Sequence, residues 1–353
     1  MTAAVSRPLA LTFGDAAGIG PEIIVQAFLH DPQALRGCVV VGDVAALQRA
    51  AEVVARAQPD APMPLVERID ALFDLTRLPE GVLPVWSVGT PWTAQTLPAF
   101  GRVQAEAGAK AADAVLWAAQ AALRGEVSAV VTAPLHKEAL AAAGVPFPGH
   151  TELLQACAAA HAGVVVADLP VRMMLANDEL RTVLVSIHVS LRQAIEAVTH
   201  DNVLQTLRIT DAAERRRLGR APRIGVAGLN PHAGEGGLMG REEIDILIPA
   251  LQQARSEGLD VSGPHAPDTV FMRARARDGQ PGEFDVVVAM YHDQGLIPVK
   301  YLGLAQGVNV TLGLPLVRTS PDHGTAFDLA GTGRADPGSL LAALAMARAL
   351  SPS

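Results

Sequence analysis

Short runs of apolar residues alternate with stretches of helical spacing along most of the chain. PLALTF (8–13) and GCVVVGD (37–43) indicate buried strands, and VAALQRAAEVVARA (44–57) places its apolar residues on one helix face. An Ala-rich helix is predicted over 104–126, further strands over 128–134, 181–187, 223–229, 284–290 and 307–313, and a capped helix over 335–350. Apolar strands that alternate with helices predict an α/β fold with a largely parallel sheet and helices on both faces.

Two stretches interrupt this alternation. Residues 55–70 are rich in proline and charge, and residues 272–284 form a basic segment with turn residues. Both are predicted to be surface excursions inserted between elements, because neither shows strand or helix periodicity.

The length of the chain favours two lobes. At 353 residues it exceeds the size at which a single core usually keeps growing. Half of the residues are hydrophobic but only 4% are aromatic, so the core must be built from Ala, Val, Leu and Ile.

Charge and cysteine usage narrow the class of protein. A net charge of −8 argues against nucleic acid as a partner, although a few local cations could still bind a small anion. Cys38 and Cys157 lie in separate apolar contexts without CxxC spacing, which indicates reduced thiols. The apolar run before Gly14 is too short for a signal peptide, and no run of about 20 apolar residues could span a bilayer. A cytoplasmic protein without a membrane partner is the simplest expectation.

Three histidines follow predicted strands: His188, His232 and His292. Ligands of open α/β sheets bind at the carboxyl ends of the strands, so three imidazoles at that edge could hold a divalent metal. The alternative is that each is an ordinary strand-end histidine with a hydrogen-bond partner. No short-spaced motif such as HExxH decides between the two.

A second group of residues favours an anion. GHTE (149–152) places His150 and Thr151 at a predicted helix start, where free N–H groups suit phosphate. Lys300 and Arg318 each lie in an otherwise apolar stretch, and a buried cation needs a partner. That partner could be a ligand phosphate or a structural carboxylate. Arg318 is the sharper candidate because a guanidinium binds phosphate in a bidentate manner.

Two loops could bind a nucleotide. FGDAAGIGPE (13–22) has a Gly-rich strand-to-helix turn, but it is neither GxGxxG nor a P-loop, so as a dinucleotide fingerprint it is weak. DHGTAFDLAGTG (322–333) is rich in turn formers and carries two acids and a histidine. Its composition predicts a ligand loop without identifying the ligand.

Six long motifs together resemble those of the 4-hydroxythreonine-4-phosphate dehydrogenase family. They occur in the order and at roughly the separations typical of that family: GDAAGIGPE, VPFPGHTE, GLNPHAGEGG, AMYHDQGL, VNVTLGLP and RTSPDHGTAFDLAG. The resemblance covers about residues 9–348, although Ala16 stands where the family commonly has proline. It implies two α/β/α lobes flanking a central cleft, as in isopropylmalate dehydrogenase, and a homodimer whose active site is shared across the interface. A nucleotide-side lobe is expected over 1–133 and 311–353, and a metal, substrate and dimer lobe over 134–310.

The resemblance also implies roles for individual residues. The metal ligands would be His188, His232 and His292, with one histidine reaching the site from the neighbouring subunit. Substrate would be bound by His150, Thr151, Lys300, Asn309 and Arg318. The nucleotide, NAD or NADP, would lie along Asp322, His323, Gly324, Thr325 and Asp328. Lys300, Asp293 and Asp245 are the candidate catalytic side chains, and the general base is left open between the two aspartates.

The reaction implied is NAD-dependent oxidation of a secondary alcohol followed by loss of CO₂, assisted by one divalent ion (Zn, Mg, Mn or Co). The expected substrate is 4-phosphohydroxy-L-threonine, which would yield 3-amino-2-oxopropyl phosphate for pyridoxal phosphate biosynthesis. A catabolic 4-phospho-D-threonate or 4-phospho-D-erythronate substrate is nearly as well supported. The dihydrodiol derived from terephthalate is less so, because it has no phosphate for the GHTE segment to bind.

Two other classes of protein remain open. A phosphotransacetylase-like transferase shares the fold superfamily, but it would not need three histidines. A non-catalytic ligand sensor would be expected to lack a metal histidine or Lys300, and this sequence keeps them all.

Overall fold

The computed structural model describes residues 7–351 except 278, 304 and 305. It divides the chain into two compact units: unit 1 comprises Met1–Pro170 and Leu314–Ser353, and unit 2 comprises Val171–Gly313. Across the described residues, none of the helices is long and apolar enough to cross a bilayer.

Unit 1 is built on strands whose pairings are all parallel among its described residues. In spatial order they are β3 (Leu65–Ile69), β4 (Val82–Ser87), β2 (Cys38–Gly42), β1 (Leu9–Thr12), β5 (Ala129–Thr132) and β12 (Arg318–Pro321). The central strands β1, β2 and β5 are buried along their whole length, as expected for strands covered on both faces.

The helices of unit 1 fall into two groups. They are α1 (Gly20–His30), α2 (Val44–Ala57), α3 (Ala105–Leu123), α4 (Lys137–Ala142), α5 (His150–Ala162) and α11 (Gly338–Leu350). Helix α1 packs on α2 and α11, whereas α3 packs on α4, α5 and the central strands. The small side chains of the Ala-rich α3 allow this close packing, since most of its alanines are fully buried.

Unit 2 contains a mixed sheet. Its spatial order is β11 (Val308–Leu312), β6 (Arg172–Ala176), β7 (Arg181–Leu184), β10 (Val286–Ala289), β8 (Ile224–Ala227) and β9 (Val261–His265). Strand β6 runs antiparallel to both neighbours, and the remaining pairings are parallel. The helices are α6 (Leu191–Ala197), α7 (His200–Leu218), α8 (Ile248–Ser256), α9 (Val270–Ala274) and α10 (His292–Leu302).

The predicted α/β class is confirmed, but one local prediction is wrong. Residues 55–70 are not wholly a surface excursion, because α2 extends to Ala57 and Leu65–Ile69 forms β3. Among the described residues this strand pairs only with β4, and just Val66 and Ile69 along it are buried. An edge strand tolerates such charged side chains as Glu67, and these hid it from a search for apolar runs. In the second predicted excursion, 272–284, residue 278 lies outside the described residues; the segment begins within α9 and is otherwise largely irregular.

Candidate active site

Two of the three candidate metal histidines lie side by side at one edge of the unit 2 sheet. His188 follows β7 and His292 begins α10 just after β10, and these two strands are parallel neighbours. The centroids of the two imidazole rings are 5.7 Å apart, and the ring planes are inclined by 44°. Both rings line a pocket of about 280 Å³, whose walls are Ser186, Ile187, His188, Val189, Leu191, Ala194, Tyr291, His292 and Asp293.

The orientation of His292 suits a metal ligand. Its Nδ1 lies 2.7 Å from Oδ1 of Asp293, and the Asp293 side chain is largely exposed in the pocket wall. A carboxylate that accepts the Nδ1 hydrogen fixes the tautomer and leaves the Nε2 lone pair available to a cation. Neutral imidazole beside a carboxylate is a donor set that zinc and similar divalent ions accept, so these residues fit the metal that the sequence predicted.

Backbone strain marks two of the histidines. His188 has φ of 42° and His232 has φ of 51°, both in the left-handed region that side chains other than glycine rarely adopt. Strained conformations of this kind cluster at functional sites, where the surrounding structure holds them in place.

His232 is exposed in the loop after β8. Residues 7–351, apart from the three left undescribed, contain no cluster of three or more His, Cys, Asp and Glu side chains able to hold an ion. The described residues thus bring together a pair of the predicted ligands, and His232 is not among the residues that line their pocket.

The predicted anion-binding residues of unit 1 form a second cluster. Arg318 is 4% exposed, and its Nε and one terminal nitrogen donate to Oγ1 of Thr132 at 3.2 and 2.8 Å. Burial lowers the pKa of this guanidinium to about 10, and the charge of Glu152 opposes the shift, so the group stays cationic at neutral pH. His150 and Thr151 are the first two residues of α5, as predicted for a helix start.

The imidazole of His150 is neutral in this cluster. Burial lowers its pKa well below the usual range, and the nearby positive charge of Arg318 lowers it further. Its Nε2 is buried and lacks a hydrogen-bond partner among the described residues. A buried cation, an unpartnered imidazole nitrogen and a helix N-terminus together suit an anionic ligand.

Two other predicted substrate ligands belong to unit 2. Lys300 lies in the last turn of α10, and Asn309 lies on β11, where it pairs in register with Leu175 of β6. Both side chains are partly exposed.

The two candidate bases have different surroundings. Asp293 lines the histidine pocket. Asp245 is exposed on a short π-helical turn, Glu243–Leu247, and forms a two-point ion pair with Arg241.

The predicted nucleotide loop, 322–333, is irregular and is held by the Gly-rich turn of residues 13–22. The buried carboxylate of Glu22 accepts hydrogen bonds from the backbone N–H groups of Gly331 and Gly333, and Ile19 N–H donates to the Thr325 carbonyl. A Cβ on Gly18 would lie 2.8 Å from the Thr325 side chain. The turn is thus the support of the loop. Sequence reasoning missed Glu22, although an acid inside an otherwise apolar first helical turn was the available signal.

Within this loop the predicted cofactor residues are differently exposed. Thr325 is buried and Asp322 is partly exposed, whereas His323, Gly324 and Asp328 are exposed. Phe327 stacks face to face on His136, with ring centroids 4.6 Å apart. His136 is a further residue of this region that the sequence did not single out.

Comparison with known proteins gives consistent matches along the chain. A family model described as pyridoxal phosphate biosynthetic protein PdxA matches residues 34–347. The chain is 50% identical over 336 residues to a 4-hydroxythreonine-4-phosphate dehydrogenase of Beijerinckia indica subsp. indica. This alignment covers 95% of this chain and 93% of the relative. It is 43% identical to a D-threonate 4-phosphate dehydrogenase of Salmonella typhimurium, covering 98% and 99% of the two chains.

A solved structure agrees with these relatives. The crystal structure of a 4-hydroxythreonine-4-phosphate dehydrogenase from Klebsiella pneumoniae superposes with a TM-score of 0.83 at 39% identity, covering 99% of each chain. The match therefore extends over both units.

Proposed function

The chain belongs to the PdxA family, and from this premise we propose that it is a dehydrogenase that oxidises a secondary alcohol of a small phosphorylated hydroxy acid and releases CO₂. NAD, when bound, would accept the hydride of the alcohol carbon, and the hydroxyl proton would pass to a base, which leaves a ketone. The bond between the adjacent carbon and its carboxylate would then break, CO₂ would leave with the ketone taking up the electron pair, and that carbon would be reprotonated. The observation that carries the proposal is the pairing of His188 and His292 beside Asp293 in one pocket.

Three histidines would hold a divalent ion: His188, His232 and His292. Such an ion supplies Lewis acidity toward the oxygen of the substrate alcohol. Since the described residues of one chain form no group of three metal-ligating side chains, we infer that the set is completed across a homodimer, one histidine of each site belonging to the partner subunit. Zn, Mg, Mn and Co all remain candidates for the ion.

Exposed apolar side chains on unit 2 support the homodimer. Large hydrophobic residues rarely stay in water as a contiguous surface without a partner. Among the described residues of unit 2, the exposed large hydrophobic side chains are Val189, Leu191, Ile195, Leu238, Met239, Met272, Ile297 and Tyr301, and Tyr301 is 90% exposed. Several belong to elements that carry a candidate ligand: Leu238 and Met239 follow His232 in its loop, and Ile297 and Tyr301 lie on α10.

The chain's own groups would bind and orient the substrate. Arg318, His150 and Thr151 would hold the phosphate, with Lys300 and Asn309 as further substrate ligands. Binding energy at the phosphate, remote from the reacting carbon, orients that carbon for hydride transfer. Asp293 is the better-placed base for the hydroxyl proton, because it lines the pocket and His292 contacts its Oδ1 alone, whereas Arg241 contacts both oxygens of Asp245.

The loop 322–333 would bind the nucleotide through Asp322, His323, Gly324, Thr325 and Asp328. NAD supplies the hydride acceptor, and NADP is the alternative. The assignment of a nucleotide-side lobe (1–133 with 311–353) and a metal and substrate lobe (134–310) stays a prediction, as does a cytoplasmic location.

The substrate is proposed to be 4-phosphohydroxy-L-threonine, as in pyridoxal phosphate biosynthesis. 4-Phospho-D-threonate is the second candidate, because the similarity to the D-threonate 4-phosphate dehydrogenase of Salmonella typhimurium covers nearly the whole of both chains. Comparing kcat/KM for the two compounds decides between them. Negligible rates on both would overturn the phosphate assignment.

Metal analysis of the purified protein tests the mechanism. We expect about one divalent ion per site in the wild type, and its loss in His232→Ala together with loss of NAD reduction. A wild-type protein that carries no divalent ion and reduces NAD without one would contradict the proposal. Light scattering of the same samples measures the dimer, and Tyr301→Glu, which places a charge on the exposed apolar surface, is expected to weaken it.

A further inference from the structure

The loop that carries His232 contains a run of left-handed backbone. All five residues from His232 to Gly236 have φ between 41° and 80°, and three of them, His232, Ala233 and Glu235, are not glycine. Each non-glycine residue in this conformation costs about 1–2 kcal/mol relative to the right-handed one. Such a segment persists only if other groups hold it.

Glu243 is the residue that contacts the base of this loop. Its Oε1 accepts hydrogen bonds from the backbone N–H groups of Leu229 and Asn230, both at 2.8 Å. Its Oε2 accepts a third from the Asn230 side-chain amide at 3.0 Å. These donors lie two and three residues before His232, so the carboxylate fixes the point at which the chain enters the left-handed run.

Gly228 and Gly234 pack closely against the same carboxylate. A Cβ on Gly234 would lie 2.7 Å from Oε2 of Glu243, and one on Gly228 would lie 3.1 Å from Oε1. The backbone therefore closes on both oxygens, which a side chain at either position would prevent.

Glu243 is only 1% exposed, and in the described part of the chain no Lys or Arg forms an ion pair with it. Burying a carboxylate that only N–H groups contact is unfavourable, because the charge loses its hydration. An amide or an apolar side chain at this position would avoid that desolvation cost. Three converging N–H donors offset that cost only while the loop keeps this conformation. The charge thus selects the conformation of the loop that carries His232.

We propose that Glu243 is a positioning residue: it holds the left-handed segment 232–236 so that His232 is presented as a metal ligand. This inference rests on the proposed metal site, because His232 has this role only if it binds the ion. It also assigns a role to the REEIDIL segment other than supplying the base Asp245.

The experiment measures the affinity of the full-length dimer for zinc by competition with a chromophoric chelator, together with the unfolding temperature of the metal-free protein. The variants are Glu243→Ala and the milder Glu243→Gln, which keeps an acceptor for the two backbone N–H groups. Residues that orient metal ligands typically change metal affinity by about 10- to 100-fold. We expect a loss of that size for Glu243→Ala and a smaller loss for Glu243→Gln.

Two further variants separate positioning from general stability. Glu214 is a fully buried carboxylate on α7 that pairs with Arg217, and Glu214→Gln is expected to lower the unfolding temperature without changing zinc affinity. Ala233→Gly removes the steric cost of one left-handed residue. Added to Glu243→Ala, it should restore zinc affinity about fivefold, an effect that a purely structural carboxylate would not produce.

The outcomes distinguish the inference from the function on which it rests. If His232→Ala leaves zinc affinity unchanged, the metal site itself is wrong and the inference falls with it. If His232→Ala abolishes binding while folded Glu243→Ala and Glu243→Gln bind as the wild type does, only the role of Glu243 is overturned. Loss of affinity in Glu243→Ala with partial rescue by Ala233→Gly supports the proposal.

Discussion

His292 and Asp293 are adjacent in sequence, and their side chains are hydrogen-bonded to each other, Nδ1 to Oδ1 at 2.7 Å. Replacing Asp293 by alanine removes the acceptor that fixes the tautomer of the imidazole. We expect metal affinity to fall about 10- to 100-fold, because the ring loses both its orientation and the negative charge behind it. Chelator competition measures the effect.

Asp260, an exposed carboxylate of the same unit, provides the control. Asp260→Ala removes an equal charge from unit 2 at a position outside the pocket, and its metal affinity should match that of the wild type. Equal losses in both variants would mean that net charge, and not the contact with His292, determines the affinity.

A substitution of Arg318 can separate its effect on substrate binding from its effect on the stability of the fold. Arg318→Met replaces a buried cation by an apolar side chain of similar length and so removes the cost of burying a charge. Its neighbour Glu152 is exposed and so is not left as an unpaired buried charge. We expect the free energy of unfolding to be maintained while KM for the phosphorylated substrate rises at least about tenfold, since losing a charge-assisted contact commonly costs about 2 kcal/mol or more.

Chemical denaturation and steady-state kinetics give the two quantities for Arg318→Met. Arg56→Met, at an exposed site on α2, should change neither. A large loss of stability with an unchanged KM would identify Arg318 as the structural ion-pair residue that the sequence left as an alternative.

The lowered pKa of His150 predicts that the folded protein loses stability in acid. Its pKa in the folded protein is lowered by burial, whereas an unfolded chain has the ordinary value near 6.5. As the pH falls below about 6.5, the unfolded state binds a proton that the folded state does not, so unfolding becomes more favourable. The contribution of His150 is therefore present above this pH and is lost below it, at a slope of at most about 1.4 kcal/mol per pH unit.

Denaturant unfolding of the wild type and His150→Gln between pH 7.5 and pH 5 tests this prediction. The difference in the free energy of unfolding between the two should change with pH in the stated direction, the variant being the less acid-sensitive of the two. Parallel curves would show that His150 keeps an ordinary pKa in the folded protein.

The regular elements were largely predictable, because buried strands such as Val39–Val41 and the helix Val44–Ala57 follow local apolar patterns. Two strands, β3 and β6, could not be recognised from their local sequence pattern, because their residues depend on tertiary context. Strand β3 has charged residues because it has a neighbour on one side only, and β6 (RMMLA) lacks the β-branched residues typical of strands.

Strand-end reasoning anticipated that His188 and His292 would meet, since β7 and β10 are parallel neighbours. It could not anticipate the left-handed backbone at His232. That conformation is stabilised by Glu243, which is eleven residues away and carries no local sequence signal for the turn. For Glu22, the acid within the apolar first turn of α1 was a local signal, but its hydrogen-bond partners could not be anticipated because they lie more than 300 residues further along the chain.

Glu22 provides the sharpest test of the proposal that the loop 322–333 binds the nucleotide. Burial raises the pKa of its carboxyl group, and the N–H groups of Gly331 and Gly333 oppose that shift. Glu22→Ala removes both hydrogen bonds and frees this end of the loop. We expect KM for NAD to rise about tenfold, while KM for the phosphorylated substrate changes much less, because Glu22 holds Gly331 and Gly333 of the nucleotide loop whereas the guanidinium of Arg318 is held by Thr132.

A second variant disturbs the same loop at a different contact, the one between Gly18 and Thr325. Gly18→Ala places a methyl group about 2.8 Å from the Thr325 side chain and its carbonyl oxygen, which forces the loop to move. It should likewise raise KM for NAD selectively, whereas Glu52→Ala, exposed on α2, should leave both constants unchanged. If folded Glu22→Ala and Gly18→Ala bind NAD as the wild type does, the nucleotide lies elsewhere and the contact of Glu22 with the loop is purely structural.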